Sequence, residues 1–191
     1  LSGHRKFKSQ PITAPPVLRP NNLAGGLMVA FGTGQSLTET DRTDRSTQSV
    51  YSILDNTRYS IASTGNDVGK VTIATSPTPA AVGDRSSLTS QSVNDTSKTA
   101  GTGDSASRSF WKLTTQEVVY SCAAGATSCT AKKGWYLDLP EPGERVFTSL
   151  DFYDGSNILE IISEVPASGS ATAMDKKSAR PHLKRQSPFA L

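Results

Sequence analysis

The stretch from Gly134 to Val146 constrains the fold more than any other part of this 191-residue chain. It reads GWYLDLPEPGERV, in which apolar and polar residues alternate up to a Pro-x-Pro-Gly corner and then resume. Alternation with a period of two, bounded by Pro and Gly, predicts two short half-buried β-strands joined by a tight loop. The second strand is expected to begin at Val146 and Phe147.

The first of these strands has two different faces, because successive side chains of a strand point to opposite sides of its sheet. Trp135, Leu137 and Leu139 are expected on an apolar face, and Tyr136 and Asp138 on the other. The stretch contains no nucleophile beside a base and no cluster of metal ligands, so we interpret it as architectural. Its structural residues are Gly134, Trp135, Leu137, Asp138, Pro140 and Gly143.

A second β-signal is the unbroken apolar run Leu27–Phe31, which is followed by Gly32-Thr33-Gly34. A run of this length suits a strand that is covered on both faces. Gly-Thr-Gly also invites comparison with phosphate-binding loops, but their third glycine, their Lys-Ser/Thr pair and their following helix are missing. We interpret Gly32 and Gly34 as structural residues that let the backbone turn where a strand ends.

The composition favours short strands joined by long polar loops, since only 35% of residues are hydrophobic and Ser, Thr and Gly are abundant. The prolines between Pro11 and Pro20 permit only an edge strand or extended chain. Trp111 could stack on a sugar or on a partner's aromatic group, but a core position is more common and is favoured here. The other predicted strands are Ser49–Leu54, Lys70–Ala74, Phe110–Leu113, Glu117–Tyr120 and a hairpin over residues 152–162 that turns at Asp154-Gly155.

The only two cysteines, Cys122 and Cys129, are separated by six small residues that include a glycine. Such a loop can turn back and bring two Cβ atoms within disulfide distance. A metal site needs two more ligands, and none lies nearby in the sequence. We favour a local disulfide, which implies an oxidising compartment, over two buried free thiols.

Three motifs of this chain resemble, in order, those of one known family. The Gly134–Val146 stretch resembles the signature of the PilC/PilY-type type IV pilus biogenesis proteins, which are tip-associated adhesins with a C-terminal β-propeller. Gly26–Leu37 and Gln48–Asn56 resemble two further motifs of that family. The resemblance spans about residues 10–166. It implies an all-β fold that is part of a β-propeller, with short antiparallel sheets and long polar loops.

The chain is expected to have three parts. Residues 10–166 form the partial propeller domain, with a flexible insertion near residues 75–108, and residues 1–9 and 167–191 are disordered basic tails. The tails hold eight of the twenty Lys and Arg residues but one of the seventeen acids, so the body between them is net acidic. This distribution disfavours nucleic-acid binding, which needs a basic face with aromatic residues on a folded scaffold.

Catalysis is not expected. The two histidines, His4 and His182, lie in the tails, so no base is positioned beside a nucleophile. Asp41, Asp44 and Asp151 lack the set of oxygen ligands that calcium requires. In the resembling family an Asp-rich calcium loop lies upstream of the matched region, so no cofactor and no metal ligand are expected in this segment.

The resemblance implies a role in pilus biogenesis, twitching motility and surface attachment. The implied partners are minor pilins or other pilus-tip components, with a host or surface ligand, and the implied location is the periplasm, the outer membrane or the cell surface. No apolar run approaches the roughly 18 residues of a membrane helix. Nothing at the start resembles a signal peptide, so the chain is expected to be processed or cut from a longer protein. The alternative is a secreted structural or ligand-binding β-sandwich without a pilus role.

Overall fold

The computed structural model describes residues 10–76, 78–93, 99–100, 109–110, 114, 116–152, 158–166 and 181–186. Several sequence predictions lie wholly or partly outside these residues: the N-terminal tail over residues 1–9, the position of Trp111 with the rest of the strand predicted over Phe110–Leu113, the turn at Asp154-Gly155, and residues 167–180 and 187–191 of the C-terminal tail. None of the helices in the described part of the chain is long and apolar enough to span a membrane.

The described residues form β-strands and three short 3₁₀ helices, and they include no α-helix. The 3₁₀ helices are Glu39–Arg42, Gly65–Asp67 and Arg85–Ser87. The strands are β1 (Val17–Pro20), β2 (Leu27–Gly32), β3 (Ser49–Asp55), β4 (Tyr59–Ile61), β5 (Val71–Ile73), β6 (Thr89–Gln91), β7 (Thr99–Ala100), β8 (Ser109–Phe110), β9 (Gly134–Asp138), β10 (Asp151–Phe152), β11 (Leu159–Glu164) and β12 (Pro181–Gln186).

These strands form two five-stranded sheets and a separate two-stranded ribbon. The first sheet has the order β1-β2-β3-β9-β6, the second has the order β10-β11-β12-β8-β7, and the ribbon pairs β4 with β5. The all-β prediction is confirmed, and β1 lies at a sheet edge as its prolines predicted. The predicted short antiparallel sheets are confirmed, with two parallel pairings among the described strands: β6 with β9 and β8 with β12. The described strands do not close into a propeller ring.

One apolar core joins the two large sheets. The first sheet contributes Trp135 and Leu137 from β9, and the second contributes Leu159 and Ile161 from β11. Each of these four side chains is at most 1% exposed. The other buried members of this core are Ala30, Val50, Val118, Leu139, Val146 and Leu150. Because both sheets bury their apolar faces in the same core, neither is complete without the other.

The alternation predicted for β9 is confirmed. Trp135, Leu137 and Leu139 are buried, whereas Tyr136 and Asp138 are only half-buried on the opposite face. The run in β2 differs from its prediction, because only one of its faces is fully covered. Its other face is half-buried and lies beside the cleft described below.

Two predicted strands are absent. Residues 117–120 have no strand pairing, although the amide of Lys132 donates to the carbonyl of Val119 over 2.7 Å. The strand expected at Val146 and Phe147 is reduced to an isolated bridge between Arg145 and Glu164. The corner residues that precede it turn the chain from the first sheet into the second, so they cannot continue a ladder within one sheet.

Two segments predicted to lack fixed structure contain strands. β12 falls in the C-terminal region expected to be a disordered tail, and it pairs antiparallel with all six residues of β11. The backbone groups of β11 need partners whatever the side-chain charges of the neighbouring strand are. β6 falls in the predicted flexible insertion and pairs with β9. The side chain of Gln91 anchors β6, because its amide donates to the Gln116 carbonyl and its oxygen accepts from the Gln116 amide.

The predicted disulfide between Cys122 and Cys129 is present, with a Cα–Cα distance of 5.8 Å. The cross-link closes the loop that leads into β9. The chain before the loop contributes buried Val118 to the shared core. The disulfide therefore fastens a segment that packs on the core without lying in either sheet.

We expect Trp135→Ala to lower the free energy of unfolding by about 3–5 kcal/mol, because it truncates a fully buried aromatic side chain in the core that joins the sheets. Denaturant unfolding measures this change. Tyr59→Ala removes an aromatic ring that is 66% exposed and serves as the control, with little change expected. Equal, small effects of the two variants would contradict the assignment of Trp135 to the core.

Candidate binding cleft

The outer face of the first sheet, which points away from the shared core, carries a row of aromatic rings. The strand register places Phe31 opposite Tyr51 and Tyr51 opposite Tyr136. Opposed side chains of antiparallel strands are in contact distance. The Phe31 and Tyr51 rings are stacked with centroids 5.3 Å apart, and the Tyr51 and Tyr136 rings are tilted with centroids 6.3 Å apart. All three rings are half-buried.

Arg85 lies over this row. It begins a 3₁₀ helix whose first turn is capped by the Asp84 carboxylate, which accepts from the Ser86 amide over 2.8 Å. The guanidinium carbon is 4.6 Å from the centroid of the Tyr136 ring and 5.4 Å from that of the Tyr51 ring. A guanidinium over aromatic rings at these distances makes a favourable cation–π contact.

The same guanidinium ties three strand residues together. Nη1 lies 2.9 Å from Asp138 Oδ1. Nη2 donates to the Ser49 hydroxyl over 2.7 Å and to the Tyr51 hydroxyl over 2.6 Å. The Tyr51 hydroxyl in turn donates to the Gln10 side-chain oxygen over 2.6 Å. Gln10, Ser49, Tyr51, Arg85 and Asp138 are called the Arg85 cluster below.

The cluster holds the cation in place. Partial burial acts to lower the pKa of Arg85, but its hydrogen bond with Tyr51 and the charge of Asp138 outweigh burial, so that its pKa is raised. The planar guanidinium can bond several acceptors at once in a fixed geometry, which a lysine cannot do. The Tyr51 ring is therefore fixed by a polar network along one edge and by the Phe31 ring along its face.

Beside the Arg85 cluster the outer face forms a cleft of about 260 Å³. Its floor is the exposed side of Phe31 and Tyr51, and its walls come from the chain before β1 and from the chain before β6. The residues that line it are Gln10, Ile12, Phe31, Thr33, Tyr51, Ile53, Val82, Asp84, Arg85 and Leu88. Most of these side chains are apolar.

The polar atoms of the cleft bond chiefly to one another. Gln10 donates to the Thr47 carbonyl over 3.0 Å and to the Ser49 hydroxyl over 2.9 Å, while its oxygen accepts from Tyr51. The surface that remains accessible to a ligand consists of ring faces and aliphatic side chains. Such a surface suits an apolar side chain of a binding partner. Within the described part of the chain, no three His, Cys, Asp or Glu side chains are grouped closely enough to hold a metal ion.

A buried arginine at the Pro-x-Pro-Gly corner connects the two large sheets. Arg145 is 3% exposed, and its guanidinium donates to three backbone carbonyls: Gly143 over 3.0 Å, Gln35 over 2.6 Å and Asp44 over 2.9 Å. Burial lowers the pKa of Arg145, and the carboxylates of Asp44 and Asp41 oppose that change. The backbone of Arg145 exchanges two hydrogen bonds of 2.9 Å with Glu164 of β11.

The glycines of the sequence motifs lie where this corner meets the first sheet. A Cβ atom at Gly32 would overlap the Val146 side chain, and one at Gly34 would overlap that of Arg145. Gly143 has φ +78° and lies against the Asp44 carbonyl. The Gly32 and Gly34 positions were predicted as structural, but the sequence did not show that their partner is the corner more than 100 residues later.

Gly134 has a similar role at the start of β9. Its φ is +132°, and a Cβ atom there would collide with the Ser52 carbonyl of β3. Glycine alone allows both this backbone conformation and this close approach.

The structure separates the predicted motif residues into two places. Trp135 and Leu137 lie in the shared core, and Gly143 lies at the corner, where Pro140 is exposed. Asp138 was predicted only as an architectural residue, and the structure brings it to Arg85. Sequence reasoning missed Gln10, Tyr51 and Arg85 as a cluster. Tyr51 lies in the Gln48–Asn56 stretch that resembles the family, whereas Arg85 lies in the segment predicted to be a flexible insertion.

No protein-family model matches the chain, and no curated protein matches it. A solved structure does match: the crystal structure of the Pseudomonas aeruginosa PilY1 C-terminal domain, with a TM-score of 0.58 and 23% sequence identity. This chain has the fold of part of that PilY1 domain. The match confirms the PilC/PilY-type resemblance at the level of the fold. It covers 83% of this chain and 29% of the PilY1 chain, so the present chain matches less than one third of that structure.

We expect Arg85→Gln to lower the free energy of unfolding by about 1–3 kcal/mol, because it removes charge-assisted hydrogen bonds from half-buried partners. Chemical denaturation measures the change. Arg42→Gln is the matched control, because Arg42 is exposed and its one ion pair among the described residues is with Glu39 at 3.6 Å. A loss no larger than that of the control would show that the cluster is not held by Arg85.

Acid should weaken the loop that supports Arg145. Asp41 has a pKa lowered to about 2, first by the hydrogen bond from Gln35 and then by the amides of Thr38 and Leu37. The unfolded pKa is about 3.9, so the stabilisation is present above about pH 4 and is lost as the pH falls toward 2. We expect the unfolding free energy of Asp41→Asn to depend less on pH between these limits than that of the wild type. Urea denaturation at each pH measures the unfolding free energy. The same pH dependence in Asp41→Asn and in the wild type would contradict this.

Proposed function

We propose that this chain is a non-catalytic segment of a type IV pilus assembly factor or tip adhesin, acting in pilus biogenesis, twitching motility and surface attachment. One combination of observations carries the proposal. The three motifs that resemble PilC/PilY-type proteins occur in a chain that also has the fold of part of the PilY1 C-terminal domain. In the structure two of these motifs meet, because Gly32 and Gly34 of the Gly26–Leu37 motif lie against the corner of the Gly134–Val146 motif.

Part of this proposal is that the two sheets are part of a β-propeller. Two neighbouring blades would share a core through facing sheets, as the two five-stranded sheets do here. A β-sandwich also packs two sheets face to face, so the alternative of a secreted sandwich domain has the same local packing. The match to PilY1 favours the propeller.

The proposed location is extracytoplasmic. The disulfide supports it, because such bonds persist in oxidising compartments. The proposed partners are minor pilins or other pilus-tip components, together with a host or surface ligand.

The cleft over Phe31 and Tyr51 is the candidate contact surface for such a partner. Its rings are held rigidly from two sides, and rigid aromatic side chains lose little entropy when a partner covers them. Its polar atoms already have partners within the chain, so an apolar side chain can enter without leaving buried polar groups unsatisfied.

The test is direct binding between this chain and the purified minor pilins of the same organism. Ile12 lines the cleft and is 54% exposed, so Ile12→Glu should leave the fold intact but weaken binding at least tenfold by placing a charge against an apolar group. Leu23→Glu is the control, since Leu23 is 67% exposed in the turn at the opposite end of β2 and does not line the cleft. Absence of binding by the wild type would overturn the pilus role. Equal binding by both variants would place the contact elsewhere.

A further inference from the structure

The cleft over Phe31 and Tyr51 contains one charged group that no cation compensates. Two charged side chains line the cleft, Asp84 and Arg85. Arg85 is paired with Asp138 at 2.9 Å, and all three of its guanidinium nitrogens donate to oxygen atoms of the Arg85 cluster. Asp84 takes part in none of the ion pairs found among the described residues. The charge that remains at the cleft is therefore negative.

Neutral donors hold the Asp84 carboxylate in place without cancelling its charge. The amide and the hydroxyl of Ser86 both donate to Oδ1, over 2.8 Å and 2.5 Å. The pKa of Asp84 is lowered, first by the Ser86 side chain and then by the Ser86 amide, and no neighbouring cation contributes. The side chain is exposed and is ionised at neutral pH. A carboxylate has about four acceptor positions, so Asp84 retains room for a cation.

The nearby lysine does not fill this role. Lys132 Nζ donates to the Ser86 carbonyl over 2.7 Å, on the same turn as Asp84. Lys132 does not line the cleft, and its ammonium group forms no ion pair with Asp84. Its hydrogen bond stabilises the turn and leaves the carboxylate open on the cleft side.

The size and the wall of the cleft favour a segment of polypeptide over a free small molecule. Its volume of about 260 Å³ is below the roughly 300–1,000 Å³ of sites that enclose a drug-sized ligand. It suits one large apolar side chain. Val82 lines one wall, and the backbone groups of residues 81–83 take part in none of the hydrogen bonds found in the described part of the chain. These groups are available to the backbone of an extended partner.

We propose that the cleft binds an extended segment of a protein partner in which an apolar side chain lies next to a lysine or arginine. The apolar side chain packs on Phe31 and Tyr51, and the cation pairs with Asp84. This inference rests on the proposal that the cleft is a contact surface, and it names the chemistry of the partner. The chain between the two basic tails carries more acidic than basic residues, so its wider field also favours a cationic partner.

The two contacts have different effects on binding. Burial of the apolar side chain provides most of the affinity, because the area removed from water is largest there. The ion pair is exposed and contributes little to affinity, so it acts mainly on the choice of partner. It is also weakened by salt, whereas the apolar contact is not.

NMR titration of the full chain with blocked synthetic peptides of equal length measures both effects. Each peptide has a central phenylalanine that is flanked on both sides by lysine, glutamine or glutamate. The wild type is expected to bind the lysine peptide roughly two to five times more tightly than the glutamine peptide, and the glutamate peptide most weakly. The difference should shrink between about 50 mM and about 500 mM salt. A lysine peptide with a central serine should bind at least about tenfold more weakly.

Asp84→Asn isolates the charge. Asparagine keeps a side-chain oxygen that can accept from the Ser86 amide, and it caps a helix as well as aspartate does, so the fold should be retained. This variant should bind the lysine and glutamine peptides equally. Asp67→Asn is the matched control, because Asp67 is also an exposed carboxylate but does not line the cleft. It should keep the preference of the wild type.

The possible results separate this inference from the pilus role. It is overturned if no peptide binds at about 2 mM, if the wild type binds the lysine, glutamine and glutamate peptides equally, or if the preference survives in Asp84→Asn. These results do not bear on the binding of whole minor pilins, which tests the pilus role. A lysine preference that Asp84→Asn removes supports the inference, even where the minor pilins themselves fail to bind.

Discussion

The structure depends on the buried guanidinium of Arg145. It lies where the chain leaves the first sheet. Its guanidinium donates to two carbonyls of the connection between β2 and β3 and to one carbonyl of its own corner. A buried cation is costly unless its donors are satisfied, and here three carbonyls satisfy them. The same residue bridges to β11 through its backbone, so one position fixes the corner and the path between the two sheets.

The requirements of this junction extend to residues far away in the sequence. Val146 can pack only because Gly32 has no side chain, and the Arg145 side chain passes the backbone only at Gly34. The loop that supplies the Asp44 carbonyl is held in turn by Asp41, whose carboxylate accepts from the amides of Leu37 and Thr38. Two segments that resemble one family in sequence, Gly26–Leu37 and Gly134–Val146, are thus parts of a single junction, together with the loop that follows the first of them.

The two faces of the first sheet have different roles. The inner face is buried against the second sheet and supplies stability through Trp135 and Leu137. The outer face presents aromatic rings that a polar cluster holds in fixed positions, and such rigid, part-exposed rings suit recognition. Strand β9 contributes to both faces, because Leu137 points into the core and the next residue, Asp138, points to the cleft side. Asp138 pairs with Arg85, so the strand that supplies the core also holds the cluster on the outer face.

The sequence by itself determined the β-character of the chain, the inward face of β9, the disulfide and the family resemblance. Each of these features follows from a local sequence pattern. The period of two indicates the strands and their faces, the spacing of the cysteines indicates the disulfide, and contiguous motifs carry the family resemblance. Only the tertiary structure decided that Gln10, Tyr51, Arg85 and Asp138 meet, because up to 128 positions separate them. The pairing of β3 with β9 brings Tyr51 near Asp138, and hydrogen bonds to side chains of these strands hold Gln10 and Arg85, which lie outside any strand. It also decided that β6 and β12 are strands. Their own sequences are polar, and the unpaired backbone of their neighbours is what orders them.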